Sequence, residues 1–446
     1  MLQFIYDHSP IAFQNLMVSV QGKLFEKQRY TSYYYDELEK LRSCKHPFEL
    51  QKERMQEFYK LIKSDSEFYH EKLVDFQNKI DLNNLHKYPV LTKEQVRTNV
   101  EKMVTKSSED LIILGTGGST GKSLKVYSSA YDMSRRIAYL DFFKEQHGVF
   151  KGMRRASIGG KKIIPPRQKR KIFWRYNKQL NQLLFSAYHA DGSNLKYYVK
   201  QLNDFKPETI DGFPTIIHRI AKFILKNDIT LTFSPIAIFP NAEALTDEMK
   251  EDIEKAFGCP VRNQYASSEG APFITENIDG GLEINPMSGY FELQKIEGKI
   301  YELIVTGFYT TTTPLFRYKI GDSLELYEEL PENYTQKDIK IKRIIGRNND
   351  FLRSIERGIV TNAHLSTSLK VLGDKVIDSQ FVQNELETVE VKLVVDNKAD
   401  KIKVKRDLEK ELALTFGSKT NYDIDFVDSI ELTQGGKKRF TINNLK

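Results

Sequence analysis

Leu114-Gly115-Thr116-Gly117-Gly118-Ser119-Thr120-Gly121-Lys122-Ser123 places four glycines, several hydroxyls and a lysine directly behind the apolar run Leu111-Ile112-Ile113. Glycines let main-chain N–H groups approach an anion and adopt positive φ, hydroxyls add donors, and lysine adds a point charge. The mixture suits a loop wrapped around a phosphate chain. Two common fingerprints fail on counting. The pattern G-x-x-x-x-G-K-[ST] needs glycine at position 116 and meets Thr116, and G-x-G-x-x-G begun at Gly115 meets Thr120 where it needs its last glycine. The flanks point elsewhere too: apolar Leu111 to Leu114 and Ser123 to Ser128 predict strand, loop, strand, a hairpin over a nucleotide, whereas a P-loop opens a helix. A surface loop without a ligand has the same composition, so the rest of the chain must decide.

The chain has 446 residues, beyond the size at which a single core stops growing, so two or more domains are expected. With 40% hydrophobic and 28% charged residues it reads as globular, which excludes disordered and fibrous classes. No run approaches the ~18 to 20 apolar residues a membrane span needs, and Met1 to Pro10 lacks a basic segment followed by an apolar one. The expectation is a cytoplasmic protein without a transmembrane segment. Cys44 and Cys259 make no disulfide framework and have no metal-ligand spacing. The net charge of +7 is modest but unevenly spread, since Lys151 to Lys178 holds eleven Lys or Arg and no Asp or Glu. That stretch reads either as a contact for a polyanion or as a solvated basic face.

Residues of about 1–105 carry helical spacing, as in Phe58, Leu61, Ile62 and Phe68, with Tyr33, Tyr34, Tyr35 and Leu38 on another helix whose aromatic residues are expected in the core. Thr92 reads as the N-cap of a short helix. A helix is expected from Tyr131 to Glu145. From Leu183 to Phe257 strands alternate with helices, which predicts a largely parallel α/β sheet with ligands at the strand C-terminal ends. Glu243 follows one such strand, Ile236 to Phe239. About 282–345 is rich in short strands and turns, a β-rich subdomain. Beyond it, strand-like Val389 to Val395, a helix near Arg406 to Phe416 and strand-like Tyr422 to Val427 predict a small α+β domain. The fold class is therefore α/β, with a large multi-sheet N-terminal domain, 1–347, and a small mobile α+β C-terminal domain, 348–446.

Four further segments carry chemistry. Gln264-Tyr265-Ala266-Ser267-Ser268-Glu269-Gly270 offers an aromatic face, hydroxyls and a carboxylate. Arg317-Tyr318-Lys319-Ile320-Gly321-Asp322 sets an arginine and an aspartate around an expected turn. Gly346-Arg347-Asn348-Asn349-Asp350 lies at the expected hinge, and Gly435-Gly436-Lys437-Lys438-Arg439 lies near the C-terminus. Each alone reads equally as a cap, a structural turn or a solvated tail.

In order and spacing, these segments and the Gly-rich loop resemble the adenylate-forming superfamily of acyl- and aryl-CoA synthetases. The likeness runs from about residue 110 to the C-terminus. Phe173-Trp174-Arg175-Tyr176-Asn177 and Asn181 to His189 look like the phenylacetate-CoA ligase branch, with its CapK-type proteins of capsular polysaccharide biosynthesis. The resemblance implies ATP-dependent adenylation of a carboxylic acid, release of pyrophosphate, and transfer of the acyl group to coenzyme A or to an amine. The amine alternative is an amide ligase joining an amino acid or other acid to a sugar, with an amino sugar as one acceptor. By the same resemblance Ser119, Thr120, Gly121 and Lys122 grip phosphates, with Ser123 where proline is frequent, and Glu243 joins the nucleotide-binding set. Tyr265 stacks on adenine, although Ala266 replaces a common glycine. Ser268 contacts phosphate, Glu269 holds Mg²⁺, Asp322 receives the ribose hydroxyls, Arg347 lies near ribose and phosphate, and Asp350 is the pivot. Lys437 is the adenylation lysine, with Lys438 as a one-residue register alternative, and His189 stands at the acyl pocket as a gate or a buried structural residue. ATP and Mg²⁺ are the implied cofactors, with coenzyme A where the acceptor is a thiol, and no nucleic-acid partner is expected. A non-catalytic nucleotide-binding scaffold in a polysaccharide assembly complex is the rival from another class.

Overall fold

The computed structural model describes residues 2–105, 111–115, 124–165, 168–190, 192–347, 351–356, 358–432 and 438–445. Ser119, Thr120, Gly121, Lys122, Asp350 and Lys437 lie outside the described residues.

The N-terminal helices include Ile11–Arg29, Ser32–Ser43, Pro47–Asp65 and Lys93–Met103. Thr92 caps the last of them in a reciprocal box with Gln95. Of the tyrosine triplet only Tyr34 is buried; Tyr33 and Tyr35 are about half exposed. Consecutive helical residues point ~100° apart, so three in a row cannot share a core-facing stripe. Buried Glu37 on Ser32–Ser43 meets Arg54 at 2.8 Å, Arg135 at 3.1 Å and the Tyr139 hydroxyl at 2.9 Å, which ties this layer to the helix Ala130–Glu145.

A five-stranded sheet runs in the order Trp174–Asn177, Gln182–Ser186, Arg155–Gly159, Thr209–Gly212, Ala237–Pro240. The first pair is antiparallel and the others are parallel. The basic stretch supplies the central strand, Arg155–Gly159, and the edge strand, Trp174–Asn177, while most of its basic side chains, among them Lys162, Lys169, Arg170, Lys171 and Lys178, are exposed. Arg175 is fully buried, and its Nε donates to Gln14 Oε1 at 2.6 Å. Gly212 (φ +146) has to be glycine: a Cβ there would lie 2.0 Å from the Ile158 carbonyl oxygen.

A seven-stranded, largely antiparallel sheet runs from Gly289–Glu297 at one edge to the two-residue strand Gln264–Tyr265 at the other. Within it Tyr318–Leu326 is a strand with an irregularity over Ile320 to Asp322, where Gly321 has φ +85, in place of the turn the sequence suggested between Arg317 and Asp322. Arg317 is structural, with its Nη2 2.6 Å from Glu292 Oε1. Ile112–Gly115 and Lys125–Ser128 form the antiparallel pair that flanks the Gly-rich segment.

C-terminally, four strands in the order Asn421–Phe426, Thr388–Val395, Val376–Glu385, Thr441–Asn443 pack against the helix Lys401–Phe416. Val404, Leu408, Leu412 and Phe416 form its buried stripe. The helix starts earlier than its apolar pattern suggests because Asp400 accepts from the N–H groups of Ile402 and Lys403. Among the described residues no helix is long and apolar enough to cross a membrane.

Candidate active site

A cavity of about 670 Å³ lies between the helix Ala130–Glu145, one face of the five-stranded sheet and the segment Gln264 to Glu269. It opens at the strand C-terminal ends, where Gly159, Gly212 and Asn241 line it, the place where open α/β sheets bind ligands. Glu243, Tyr265, Ser268, Glu269 and Asp322 all face it.

Tyr265 sits on the edge strand of the seven-stranded sheet, and its hydroxyl donates to Asp322 Oδ2 at 2.6 Å. The bond joins two residues 57 positions apart and fixes the tilt of the ring over the cavity. Asp322 is buried in mid-strand, in register with Arg347 on the neighbouring strand.

The turn after Tyr265 is held from two sides. Ser267 Oγ accepts from the N–H groups of Gly270 and Ala271, and Arg136 donates to the carbonyls of Ser267 and Ser268. Gly270 (φ +113) packs so closely on Thr310 that a Cβ would meet its Cγ2 at 2.1 Å. The turn leaves the Ser268 side chain exposed at the rim and buries Glu269, at 5% exposure. Among the described residues Glu269 has no ion pair or hydrogen bond to its carboxylate. Its carboxylate lines the cavity, so the position suits a cation supplied from outside the chain.

Glu243 follows the strand Ala237–Pro240 through Ala242, whose φ of +68 is rare for a residue with a Cβ. Its Oε2 accepts from the Thr215 hydroxyl at 2.6 Å and its Oε1 from the Lys438 N–H at 3.1 Å. Burial raises its pKa above the usual carboxylate range, against the lowering effect of those bonds. The C-terminal domain docks here: Lys438 Nζ pairs with Asp378 of its own domain, and Asp378 also meets Arg219 of the sheet domain at 3.1 Å.

His189 does not line the cavity. Its Nδ1 is 2.9 Å from Ser186 Oγ, its ring stacks on Phe173 at 5.2 Å, and burial lowers its pKa. That environment favours the neutral imidazole. Arg136 and Thr215 escaped the sequence reading. Arg136 carries a readable signal, one helical turn before Leu140 and two before Lys144 on a face that lines the cavity. Thr215, at the start of a helix, carries none.

Comparison with known proteins agrees with this geometry. Residues 352–444 match the model of the CapK C-terminal domain. Protein CapK of Staphylococcus aureus is 63% identical over an alignment of 450 residues that covers the whole of both chains. The solved structure of 2-hydroxyisobutyryl-CoA ligase in the postadenylation state is similar with a TM-score of 0.67, at 14% identity, over 87% of this chain and 88% of that one. The amide bond synthetase McbA from Marinactinospora thermotolerans is similar with a TM-score of 0.50, at 15% identity, over 75% and 68%. The chain belongs to the CapK family and has the fold of the adenylate-forming CoA ligases.

Proposed function

We propose that the protein is an ATP-dependent ligase. It joins a carboxylic acid to AMP, releases pyrophosphate, and passes the acyl group to a thiol such as coenzyme A or to an amine, including an amino sugar, in surface polysaccharide synthesis. In the first step a carboxylate oxygen bonds to the α-phosphorus as the P–O bond to pyrophosphate breaks, and the leaving group keeps the electron pair. In the second, the thiol or amine attacks the acyl carbon and AMP departs. Both steps depend on in-line positioning and charge stabilisation.

The observation that carries this reading is the hydrogen bond from Tyr265 to Asp322 beside the unpartnered Glu269. Tyr265 presents a fixed aromatic face for adenine, Asp322 a carboxylate acceptor for ribose hydroxyls, and Ser268 a rim hydroxyl for phosphate. Glu269 would hold Mg²⁺, which when bound neutralises phosphate charge. Glu243 receives the docked C-terminal domain and limits water entry from that side. We assign Lys437 to the acyl and phosphate oxygens, Ser119, Thr120, Gly121, Lys122 and Arg347 to the phosphates and ribose, and Asp350 to the pivot. His189 takes a supporting role under the sheet.

Hydroxylamine trapping tests the reading. Protein, ATP and a panel of acids should give hydroxamates for the true substrate and none with Asp322→Ala. Equal yields with and without ATP would contradict it. Product mass after adding coenzyme A or an amino sugar distinguishes the two acceptors.

A further inference from the structure

Below the nucleotide end, the cavity runs along the face of the parallel sheet to the start of its central strand. Strands rise about 3.3 Å per residue and Asp211 is in register with Ser157, so the carboxylate that Lys144 and Arg155 reach lies about 7 Å along the sheet from Gly159. This end of the cavity is polar and cationic. Lys144 and Arg155 both reach one carboxylate oxygen, Asp211 Oδ2, at 3.7 Å and 3.4 Å. Both distances exceed a good hydrogen bond, so one oxygen serves two cations. Arg155 Nε is sealed from solvent and has no hydrogen-bond partner among the described residues. Asp141, which does not line this cavity, is a second counter-charge to Lys144 and Arg155 and also accepts from the Tyr34 hydroxyl at 3.0 Å. Lys161 adds another positive charge to the wall. A smaller cavity of about 110 Å³ shares Lys144 and Arg155 and adds Arg29 and Lys151 together with Glu26 and Asp141, with Lys151 paired to Glu26 at 3.5 Å.

An alkyl or aryl tail reaching this end would strip water from two cations and give nothing back. An anion would meet a guanidinium and a buried ammonium whose shared acid on the cavity wall is Asp211, with Lys161 adding charge beside them. We propose that the acid activated here carries a second negatively charged group, a carboxylate or phosphate, held by Arg155 and Lys144 beside Asp211 on the cavity wall. The proposal rests on the adenylation reading for which end of the acid faces the nucleotide.

Paired acids decide it: hexanoate against adipate, octanoate against suberate, and gluconate against phosphogluconate, each in ATP–pyrophosphate exchange with the full chain. The doubly charged member is expected to give a kcat/KM at least about tenfold higher. Arg155→Gln should remove that preference by raising the KM for the acid while the KM for ATP stays unchanged. Lys144→Gln should do the same, which guards against misfolding of either variant. Equal or faster exchange with the singly charged acids, or a preference that survives both substitutions, overturns the inference and leaves adenylation standing. If no acid supports exchange, the adenylation reading fails separately, and calorimetric titration of adipate, suberate and phosphogluconate without nucleotide decides the anion site. Binding heat lost in Arg155→Gln supports it. No heat in the unsubstituted protein, or heat that persists in both variants, overturns it.

Discussion

The main-chain N–H of Lys438 donates to Glu243 Oε1 at 3.1 Å across 195 positions of sequence, joining the C-terminal domain to the wall of the cavity. The bond uses a main-chain donor, so it fixes the position of the chain at Lys438 and leaves that side chain to pair with Asp378.

Glu243 should therefore control how closure depends on pH. Burial raises its pKa, so the folded protein binds this proton more tightly than the unfolded chain. The ionised carboxylate thus costs stability near neutral pH, and the cost falls away as pH drops through the raised pKa. Protonation also weakens the acceptor for Lys438, so adenylation should fall on an acid limb lying above the ordinary glutamate pKa of about 4.3. In Glu243→Gln that limb should disappear from the pH–rate profile, with no loss of melting temperature at neutral pH.

Adjacent lysines should separate cleanly. Lys437→Ala is expected to lower the adenylation rate by about a hundredfold or more, as removal of a group that stabilises transition-state charge does. Lys438→Ala breaks the pair with Asp378 and should instead loosen the docked arrangement, seen as a larger radius of gyration in solution scattering, with a smaller loss of rate. The reverse ranking would move the catalytic role to Lys438.

Glu269 offers a test that separates stability from activity. Its carboxylate lines the cavity and pairs with no described residue, so Glu269→Gln should leave the melting temperature of the nucleotide-free protein unchanged while abolishing magnesium-dependent adenylation. A loss of both together would make Glu269 a structural residue.

Glu37 should set acid stability. Burial alone would raise its pKa, but Arg135 and Arg54 outweigh burial and hold it below the usual range. A depressed pKa gives stability that is present above the unfolded value of about 4.3 and lost as pH falls through the folded value. Glu37→Gln leaves two guanidiniums without their carboxylate and should cost about 3 kcal/mol or more at neutral pH, measured by denaturant unfolding. That loss should shrink toward pH 3, about where the carboxylate is protonated in the unfolded chain.

Patterns of period and spacing were the legible part of this chain. Helix–strand alternation from Leu183 to Phe257 led to the parallel sheet, and Tyr265 to Glu269 with Asp322 led to one wall of the cavity. Charge alone did not tell the burial of single residues. Arg155 and Arg175 sit in a run of basic residues, yet one lines the cavity and the other is fully buried with Gln14, because the strands that carry them are only five and four residues long, too short for their alternation to be read from the sequence. Contacts between distant segments left little local trace: Arg136 beneath the Ser267 turn shows only its helical spacing to Leu140 and Lys144, and Thr215 beneath Glu243 emerges only in three dimensions.

The central claim is that an acid and ATP react here with release of pyrophosphate. Exchange of labelled pyrophosphate into ATP, measured across a broad panel of acids with magnesium, tests it most directly. The account predicts acid-dependent exchange that Glu269→Gln and Lys437→Ala each abolish. Absence of exchange with every acid, or exchange that survives both substitutions, would contradict it.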